Sequence, residues 1–314
     1  MHKNVQLAKR WINIILGRSS VAVKQGVGKC YSKSEIRGYY NDLTGKVSPA
    51  TLLDEKGIPV NITSSGMRVY SLVTIMQYAL GCYDKYLLAN DEDCKNSFLK
   101  LADFIMKNQE ENGKWDARAS IGSTKGNSSC MAQGQGCSIM LRAHILSGDY
   151  RYAHSAEKAV TFMLLPSSMG GTAIYCGNDI SFEKYPPQEN QASSVLNGWI
   201  FALFGLYDYI LATKLPDYYR IWEQSCRTLE AKLPLYDRNF WSNYDLIGTI
   251  SSPAYHSVHI TLLTALSDLS SSQIMACYAN KFSEYEKSPL NQIRAISTKF
   301  VQKITQPTDS FFVQ

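Results

Sequence analysis

Three segments of this 314-residue chain collect side chains that could bind and transform a polar ligand. Each is rich in tyrosine, amide and charged side chains, whereas turns alone need only glycine, proline, asparagine and aspartate. They are residues 128–138, 182–197 and 233–259. Each segment precedes or leads into a strongly apolar stretch. If those stretches are buried helices whose equivalent ends lie together, the three segments share one cleft.

Several polar side chains in or beside these segments have two interpretations. Gln133 and Gln135 could hydrogen-bond a polar ligand or belong to the capped start of a helix. Arg142 lies in an apolar stretch, where a charge is unfavourable unless it is paired, so it forms a buried ion pair or points into the cleft. His256 and His259 are three residues apart, but no third ligand is evident, so we expect no metal site.

The elements that must position these groups are predicted to be helices of two kinds. Four stretches are apolar on nearly every side, which is typical of fully buried helices. They are residues 70–87, 137–146, 195–211 and 258–269. Between them, apolar residues recur at i, i+3, i+4 and i+7, the pattern of a helix that covers a core with one face. Examples are Phe98, Leu101, Ala102 and Ile105.

Buried stretches that alternate with covering stretches predict an inner and an outer layer of helices. The predicted fold class is all-α, an (α/α) barrel or toroid of helical hairpins with short β-hairpins on its rim, near residues 171–175 and Ile250. The sequences GCYD at residues 81–84 and GLYD at residues 205–208 suggest an internal repeat.

We expect the chain to divide into an arm and a barrel. The catalytic barrel domain is predicted over residues 70–314. The N-terminal arm, residues 1–69, is predicted to contain one helix at residues 5–16 and to pack on the barrel.

Composition excludes several classes of protein. Hydrophobic residues make up 45% and charged residues 19% of the chain, which excludes disordered, collagenous and coiled-coil proteins. The net charge is +5 without a run of five basic residues, so we expect no nucleic-acid partner. The 20 tyrosines and five tryptophans supply ring faces with polar edges, which suit carbohydrate clefts as well as cores.

Other sequence features concern metals, location and membranes. The eight cysteines include no CxxC pair, so a structural zinc site is not expected. The apolar stretch near the N-terminus is too short for a secretory signal, and no stretch of about 20 apolar residues occurs. We therefore expect a cytoplasmic protein without a membrane span.

Several motifs, in the same order, closely resemble the C-terminal catalytic domain of the D-glucuronyl C5-epimerases of the heparin and heparan sulfate pathway. The resemblance covers about residues 70–268. Its motifs are SCMAQGQ at 129–135, LRA at 141–143, EKYP at 183–186, VLNG at 195–198, GLYD at 205–208, LPLYD at 233–237, YDL at 244–246, YH at 255–256 and HI at 259–260. The animal enzymes also carry an N-terminal β-rich region without a counterpart here, so we expect a shorter, microbial relative.

The resemblance implies an isomerase that interconverts D-glucuronate and L-iduronate residues in a glycan without a cofactor. A base removes the C5 proton, and an acid returns one to the opposite face of the ring. In the family a Glu-Tyr pair and two later tyrosines have these roles, and the tyrosines match Tyr185, Tyr244 and Tyr255. A tyrosine, with a pKa near 10, can deliver its proton to a carbanion. The implied partner is an acidic polysaccharide or oligosaccharide, and the chain could form a homodimer.

Two positions depart from the family pattern. Lys184 stands where the family has glutamate, and Glu183 precedes it. We favour Glu183 as the base; alternatively, Lys184 is the base or neutralises the substrate carboxylate. Ile247 stands where the family has arginine, so Lys184, Arg142 or Arg118 would have to supply that cation. The expected substrate contacts are Gln133, Gln135, Arg142, Asn197, His256 and Arg118.

Two further functions fit the same cleft. A uronate lyase would begin with the same proton abstraction and then expel the C4 substituent, giving an unsaturated product that absorbs ultraviolet light. A non-catalytic glycan-binding barrel would keep the cleft without the base. A glycosidase fits less well, because no convergent pair of carboxylates is apparent in the three segments.

Overall fold

The computed structural model describes residues 23–63, 66–116, 128–185 and 192–305. Within these ranges, the helices are α1 (Leu72–Ala89), α2 (Glu92–Lys107), α3 (Cys130–Ser147), α4 (Tyr150–Leu164), α5 (Leu196–Thr213), α6 (Pro216–Lys232), α7 (Pro253–Ser270), α8 (Gln273–Lys287) and α9 (Pro289–Thr305). Two antiparallel pairs of strands join β1 (Asn61–Ile62) to β2 (Arg68–Val69) and β3 (Ala173–Cys176) to β4 (Asp179–Phe182). The helix predicted at residues 5–16 lies outside the described residues.

The helices α1, α3, α5 and α7 form an inner layer. Consecutive inner helices contact each other, and each inner helix contacts the outer helix that directly follows it. Every residue from Leu196 to Ile210 in α5 is buried, whereas α6 buries one face only. The structure is thus an all-α, (α/α) toroid of helical hairpins, which confirms the predicted fold class. No helix in the described part of the chain is long and apolar enough to cross a membrane.

The rim carries the short strands that were expected there. The strands β3 and β4 form a hairpin immediately before Glu183 and Lys184. Near Ile250 the backbone makes a single antiparallel bridge, between Asn243 and Ile250. Both features lie next to segments that contain candidate site residues.

Helix α3 begins at Cys130, seven residues before the predicted start of the buried stretch. Two glycines lower the helix propensity of this segment, which is why the sequence favoured a loop. Close packing explains them: a Cβ on Gly134 would lie 2.3 Å from the carbonyl oxygen of Phe201, and one on Gly205 would lie 2.3 Å from that of Gly134. The glycines therefore let α3 and α5 approach each other closely.

The N-terminal segment binds to the ends of the inner helices that carry the repeated aspartates. The Tyr39 N–H donates to Asp84 at 2.9 Å, and the Tyr40 hydroxyl donates to Asp208 at 2.8 Å. Arg142 donates to Asp208 at 2.6 Å and to two carbonyl groups of the same segment. Of the two roles considered for Arg142, the structure shows the buried ion pair.

The same segment also reaches α7, far along the chain. The Tyr31 hydroxyl donates to Asp268 at 2.7 Å, and the Tyr207 hydroxyl of α5 donates to the carbonyl oxygen of Lys33 at 2.9 Å. Residues 31–40 thus bridge helices that come much later in the sequence.

The Asp84 carboxyl group makes the stability of the folded state depend on pH. Burial raises the pKa of Asp84 to about 7, although the Tyr39 N–H and the Arg142 charge act in the opposite direction. The folded chain therefore holds this proton more tightly than the unfolded chain. The stability contributed by the proton is fully present below about pH 4 and is lost as the pH rises to about 7.

We predict that Asp84→Asn removes this dependence, because asparagine keeps an oxygen acceptor for the Tyr39 N–H but cannot ionise. Relative to the unmodified protein, the variant should gain up to about 4 kcal/mol in free energy of unfolding between pH 4 and pH 7, at about 1.4 kcal/mol per pKa unit. Urea denaturation of both proteins at several pH values measures the difference. Parallel pH profiles would show that the Asp84 carboxyl does not hold its proton in the folded state.

Candidate active site

Lys184 is a buried cation surrounded by tyrosines. Only 8% of the residue is exposed. Its Nζ donates to the Tyr244 hydroxyl at 2.8 Å and to Oδ1 of Asn197 at 3.4 Å. The same nitrogen lies 5.3 Å from the ring centroid of Tyr244, 5.6 Å from that of Tyr185 and 5.7 Å from that of Tyr255. These are cation–π distances, so three rings and one amide form a cage around the ammonium group.

The three tyrosines also contact one another. The hydroxyl oxygens of Tyr185 and Tyr244 are 3.5 Å apart, and the rings of Tyr244 and Tyr255 are 4.9 Å apart. Tyr255 is 42% exposed, and the other two are partly buried. Three tyrosines from distant segments of the sequence are thus brought to one place that solvent reaches.

The N-terminal ends of three inner helices position this cage. At the start of α3, the Cys130 N–H donates to the carbonyl oxygen of Glu183 at 3.0 Å. At the start of α5, the Leu196 N–H donates to that of Tyr244 at 3.1 Å. Tyr255 lies in the first turn of α7, where Ser252 caps the helix. Since helix N-termini carry partial positive charge, this end of the toroid favours an anion.

Gly198 makes room for the Lys184 side chain. A Cβ on Gly198, in the first turn of α5, would lie 2.7 Å from Cβ and 2.9 Å from Cδ of Lys184. Any side chain here would displace the lysine. This role was not predicted from the sequence, although a glycine in the first turn of a strongly apolar helix is a signal of close approach.

The Glu183 carboxylate holds the loop that leads into α5, residues 192–195. This carboxylate accepts hydrogen bonds of 2.9–3.1 Å from the N–H and hydroxyl groups of Ser193 and Ser194, and the residue is 1% exposed. Ser194 has a φ of +45°, which is uncommon outside glycine and needs such support. The assignment of the base remains a prediction, and this geometry favours a role for Glu183 in holding the entry to α5.

Lys184 and Tyr244 keep their protons at neutral pH. Burial lowers the pKa of the Lys184 ammonium, but the charges that Tyr185 and Tyr255 carry when ionised outweigh burial and raise this pKa above its usual value. Burial is the main cause that raises the pKa of the Tyr244 hydroxyl well above its usual value. Among the described residues, no carboxylate lies within ion-pair distance of Lys184. The site therefore contains a cation without a counter-charge from these residues.

Three of the expected substrate contacts lie in the core instead. Gln133, Gln135 and Arg142 are each 0% exposed. Gln133 donates to the carbonyl oxygen of Trp115 at 3.4 Å, and Arg142 is paired with Asp208. We correct these three assignments, because closely packed helices separate the side chains from solvent. Asn197 does reach the cage, and Arg118 lies outside the described residues.

His256 is a core residue as well, contrary to its expected contact with substrate. Its ring stacks on that of Trp241 with centroids 3.7 Å apart, and its Nε2 contacts the carbonyl oxygen of Phe282 at 3.0 Å. The Ser242 hydroxyl contacts Nδ1 of both His256 and His259, at 2.8 and 2.9 Å. Burial lowers the pKa of His256 to about 4 and that of His259 well below its usual value, so both rings are neutral.

In the described ranges, no group of three His, Cys, Asp or Glu side chains is arranged to hold a metal ion. The groups that the described residues bring to the cage are phenol hydroxyls, one ammonium group and one amide. These groups can bind an anion and move protons.

Two solved structures align with this chain over about 70% of its length. The unsaturated glucuronyl hydrolase from Streptococcus agalactiae aligns with a TM-score of 0.47 at 13% identity, covering 71% of this chain and 57% of that one. The corresponding enzyme from Bacillus sp. GL1 aligns with a TM-score of 0.47 at 14% identity, covering 72% of this chain and 61% of that one.

Comparisons of sequence identify the family. A D-glucuronyl C5-epimerase of Caenorhabditis elegans is 31% identical over 220 residues, 62% of this chain and 35% of that protein. An uncharacterized protein of Methanocaldococcus jannaschii is 25% identical over 163 residues, 51% of this chain and 53% of that protein. The chain thus spans about a third and about half of the lengths of these relatives. The family model described as "D-glucuronyl C5-epimerase C-terminus" matches residues 109–284, so the chain belongs to that family.

Proposed function

We propose that this chain epimerises glucuronate residues at C5 within a glycan, converting D-glucuronate to L-iduronate and back, and that the cage of Lys184 is the active site. The observation that carries the proposal is the buried ammonium group among three tyrosines. A buried charge is unfavourable unless an opposite charge joins it. A uronate carboxylate supplies that charge, and it is attached to the carbon that reacts.

Lys184 addresses the main difficulty of the reaction. When the C5 proton leaves, negative charge builds up on a carboxylate that is already charged. An ammonium group held in a poorly hydrated site stabilises that additional charge without having to reorganise. The partial positive charges of the α3, α5 and α7 N-termini act in the same direction.

Two tyrosines are suited to exchange protons with C5 on opposite faces of the sugar. The Tyr244 hydroxyl accepts an N–H from Lys184, so its own proton is available for donation. Tyr255 is 42% exposed, so it can exchange its proton with solvent, and the Lys184 Nζ lies 5.7 Å from its ring centroid. We assign Tyr255 as the base and Tyr244 as the acid in one direction, with the roles exchanged in the other.

The proton balance closes through exchange with solvent. The C5 proton moves to the Tyr255 phenolate, and the carbanion takes the Tyr244 proton, which leaves a Tyr244 phenolate 2.8 Å from the Lys184 ammonium. Lys184 then passes a proton to Tyr244 and takes one from solvent, while the exposed Tyr255 releases the C5 proton to solvent. Tyr185, whose hydroxyl oxygen is 3.5 Å from that of Tyr244, is placed to share this transfer. The product therefore carries a hydrogen from solvent.

The glycan that we propose is heparosan or a heparan-sulfate-like chain. This finer identity follows from the resemblance of the sequence motifs. The direct test incubates the protein with heparosan in heavy water and measures deuterium at C5 by NMR. Deuterium with iduronate supports the proposal; an unsaturated product that absorbs ultraviolet light would replace it with a lyase, and no deuterium would contradict it.

Tyr244→Phe and Tyr255→Phe should each lower C5 exchange by about 10² to 10⁴, the usual contribution of one general acid or base. Each variant loses one hydroxyl and keeps its ring, so we expect the melting temperature to change little. Tyr150→Phe is the control, because Tyr150 is 80% exposed and follows the end of α3 that is far from the cage. Near-normal exchange by both variants would mean that the two tyrosines only pack.

Gly198→Ala should lower C5 exchange by at least about tenfold, because the added methyl group would displace Lys184 from the tyrosines and small displacements at a reacting centre have large effects. Gly26→Ala is a matched control, since a Cβ at Gly26 meets nothing within 4 Å. Rates of deuterium incorporation by both variants give the comparison. Equal rates would show that the lysine does not need its present position.

Glu183→Gln separates the two candidate roles of that residue. If the carboxylate holds the loop, the variant should show faster amide exchange at residues 192–195 together with a moderate loss of C5 exchange. Amide exchange measured by mass spectrometry and C5 deuterium measured by NMR report these separately. Complete loss of C5 exchange with unchanged loop protection would return the role of base to Glu183.

A further inference from the structure

The loop that carries Tyr244 is short and turns sharply. In this loop, residues 243–250, the Tyr244 N–H donates to the carbonyl oxygen of Thr249 at 2.7 Å, and Asn243 pairs with Ile250. Gly248 has a φ of +91°, a conformation that side chains disfavour. Within the loop the Asp245 carboxylate also accepts the Thr249 N–H at 2.9 Å. These bonds set the shape of the loop, whereas contacts from outside set its position relative to the rest of the fold.

Helix α9 holds the loop by its backbone. The Gln302 side chain accepts the Ile250 N–H at 3.0 Å and donates to the carbonyl oxygen of Gly248 at 2.8 Å. The Lys299 Nζ donates to the carbonyl oxygen of Ile250 at 2.7 Å. Two side chains of one helix thus satisfy three backbone groups of a segment about 50 residues earlier in the sequence.

Apolar contacts strengthen this attachment. Ala295 of α9 forms a small buried cluster with Phe240, Trp241 and Ile250, separate from the main core. The Arg294 guanidinium lies 3.9 Å from the ring centroid of Phe240. Helix α9 therefore contacts the segment on both sides of Tyr244, at residues 240–241 and at residues 248–250.

The other side of the same loop is attached to the inner layer. The carbonyl oxygen of Tyr244 accepts the Leu196 N–H at the start of α5, and Trp241 stacks on His256 of α7. The loop thus lies between the inner helices and α9. Helix α9 lies entirely beyond residues 109–284, the part of the chain matched by the family model.

We propose that α9 is a clamp that sets the position of Tyr244, and that Gln302 and Lys299 are positioning residues for the C5 exchange. Neither residue needs to touch substrate. They act through the backbone at Gly248 and Ile250, and so fix the distance between the Tyr244 hydroxyl and Lys184. The inference rests on the proposed function for its effect on catalysis, while the clamp itself can be tested without any reaction.

The test compares Gln302→Ala with Thr298→Ala, which lies one turn earlier on α9 and bonds only to the carbonyl oxygen of Arg294 in its own helix. For Gln302→Ala we expect amide exchange at residues 243–250 to become at least about tenfold faster. We also expect kcat for C5 exchange to fall by about 10- to 100-fold with little change in KM or melting temperature, as misplacement of a reacting group predicts. Thr298→Ala should match the unmodified protein in all four measurements.

Gln302→Glu provides a graded variant. Its carboxylate keeps an acceptor for the Ile250 N–H but loses the donor to the Gly248 carbonyl, so loop protection and kcat should fall between those of the unmodified protein and Gln302→Ala. Unchanged loop protection in Gln302→Ala would overturn the clamp. Faster loop exchange with an unchanged kcat would overturn the positioning role. If the unmodified chain exchanges no C5 hydrogen, the proposed function fails, and loop protection alone supports or overturns the clamp.

Discussion

The structure depends on keeping one ammonium group charged while burying it among phenol rings. Removing an ion from water is unfavourable by several kcal/mol, and each cation–π contact returns only about 0.5 to 2 kcal/mol. Lys184 therefore needs a dedicated environment. Gly198 gives its side chain space, and Asn197 and Tyr244 accept hydrogen bonds from its ammonium group. The remaining electrostatic deficit is the reason for proposing an anionic substrate at this site.

The helical layers could be predicted from the sequence because hydrophobicity on all sides of a helix has a single structural solution in water, which is complete burial. The start of α3 could not, because the advantage of Gly134 and Gly136 appears only when α5 and Trp115 are packed against them. Local propensity and tertiary packing disagree there, and packing determines the outcome. The close approach of the three tyrosines was predictable, since the inner helices begin at one end of the toroid.

The roles of several polar residues could not be predicted from the sequence. Arg142 looked able to bind an anionic substrate, yet its partners are Asp208 and carbonyl groups more than 100 residues earlier. His256 adjoins Tyr255 in sequence but faces Trp241 and Phe282 in the core. Adjacent residues on a helix or an extended chain point in different directions, so a motif alone does not show which member faces the cleft. Contacts with residues distant in sequence determine which side chain faces the cleft, and only the folded structure shows these contacts.

The bonds between the N-terminal segment and the late helices also affect how the chain is made. The Tyr31 hydroxyl pairs with Asp268, 237 residues later, and Tyr40 pairs with Asp208, 168 residues later. At a synthesis rate of about 5 to 20 residues per second, this segment leaves the ribosome roughly 10 to 50 seconds before its last partner exists. Contacts of such long sequence separation also form slowly. Closure of this end of the toroid is therefore a late step in folding, and until then the apolar ends of the inner helices remain uncovered.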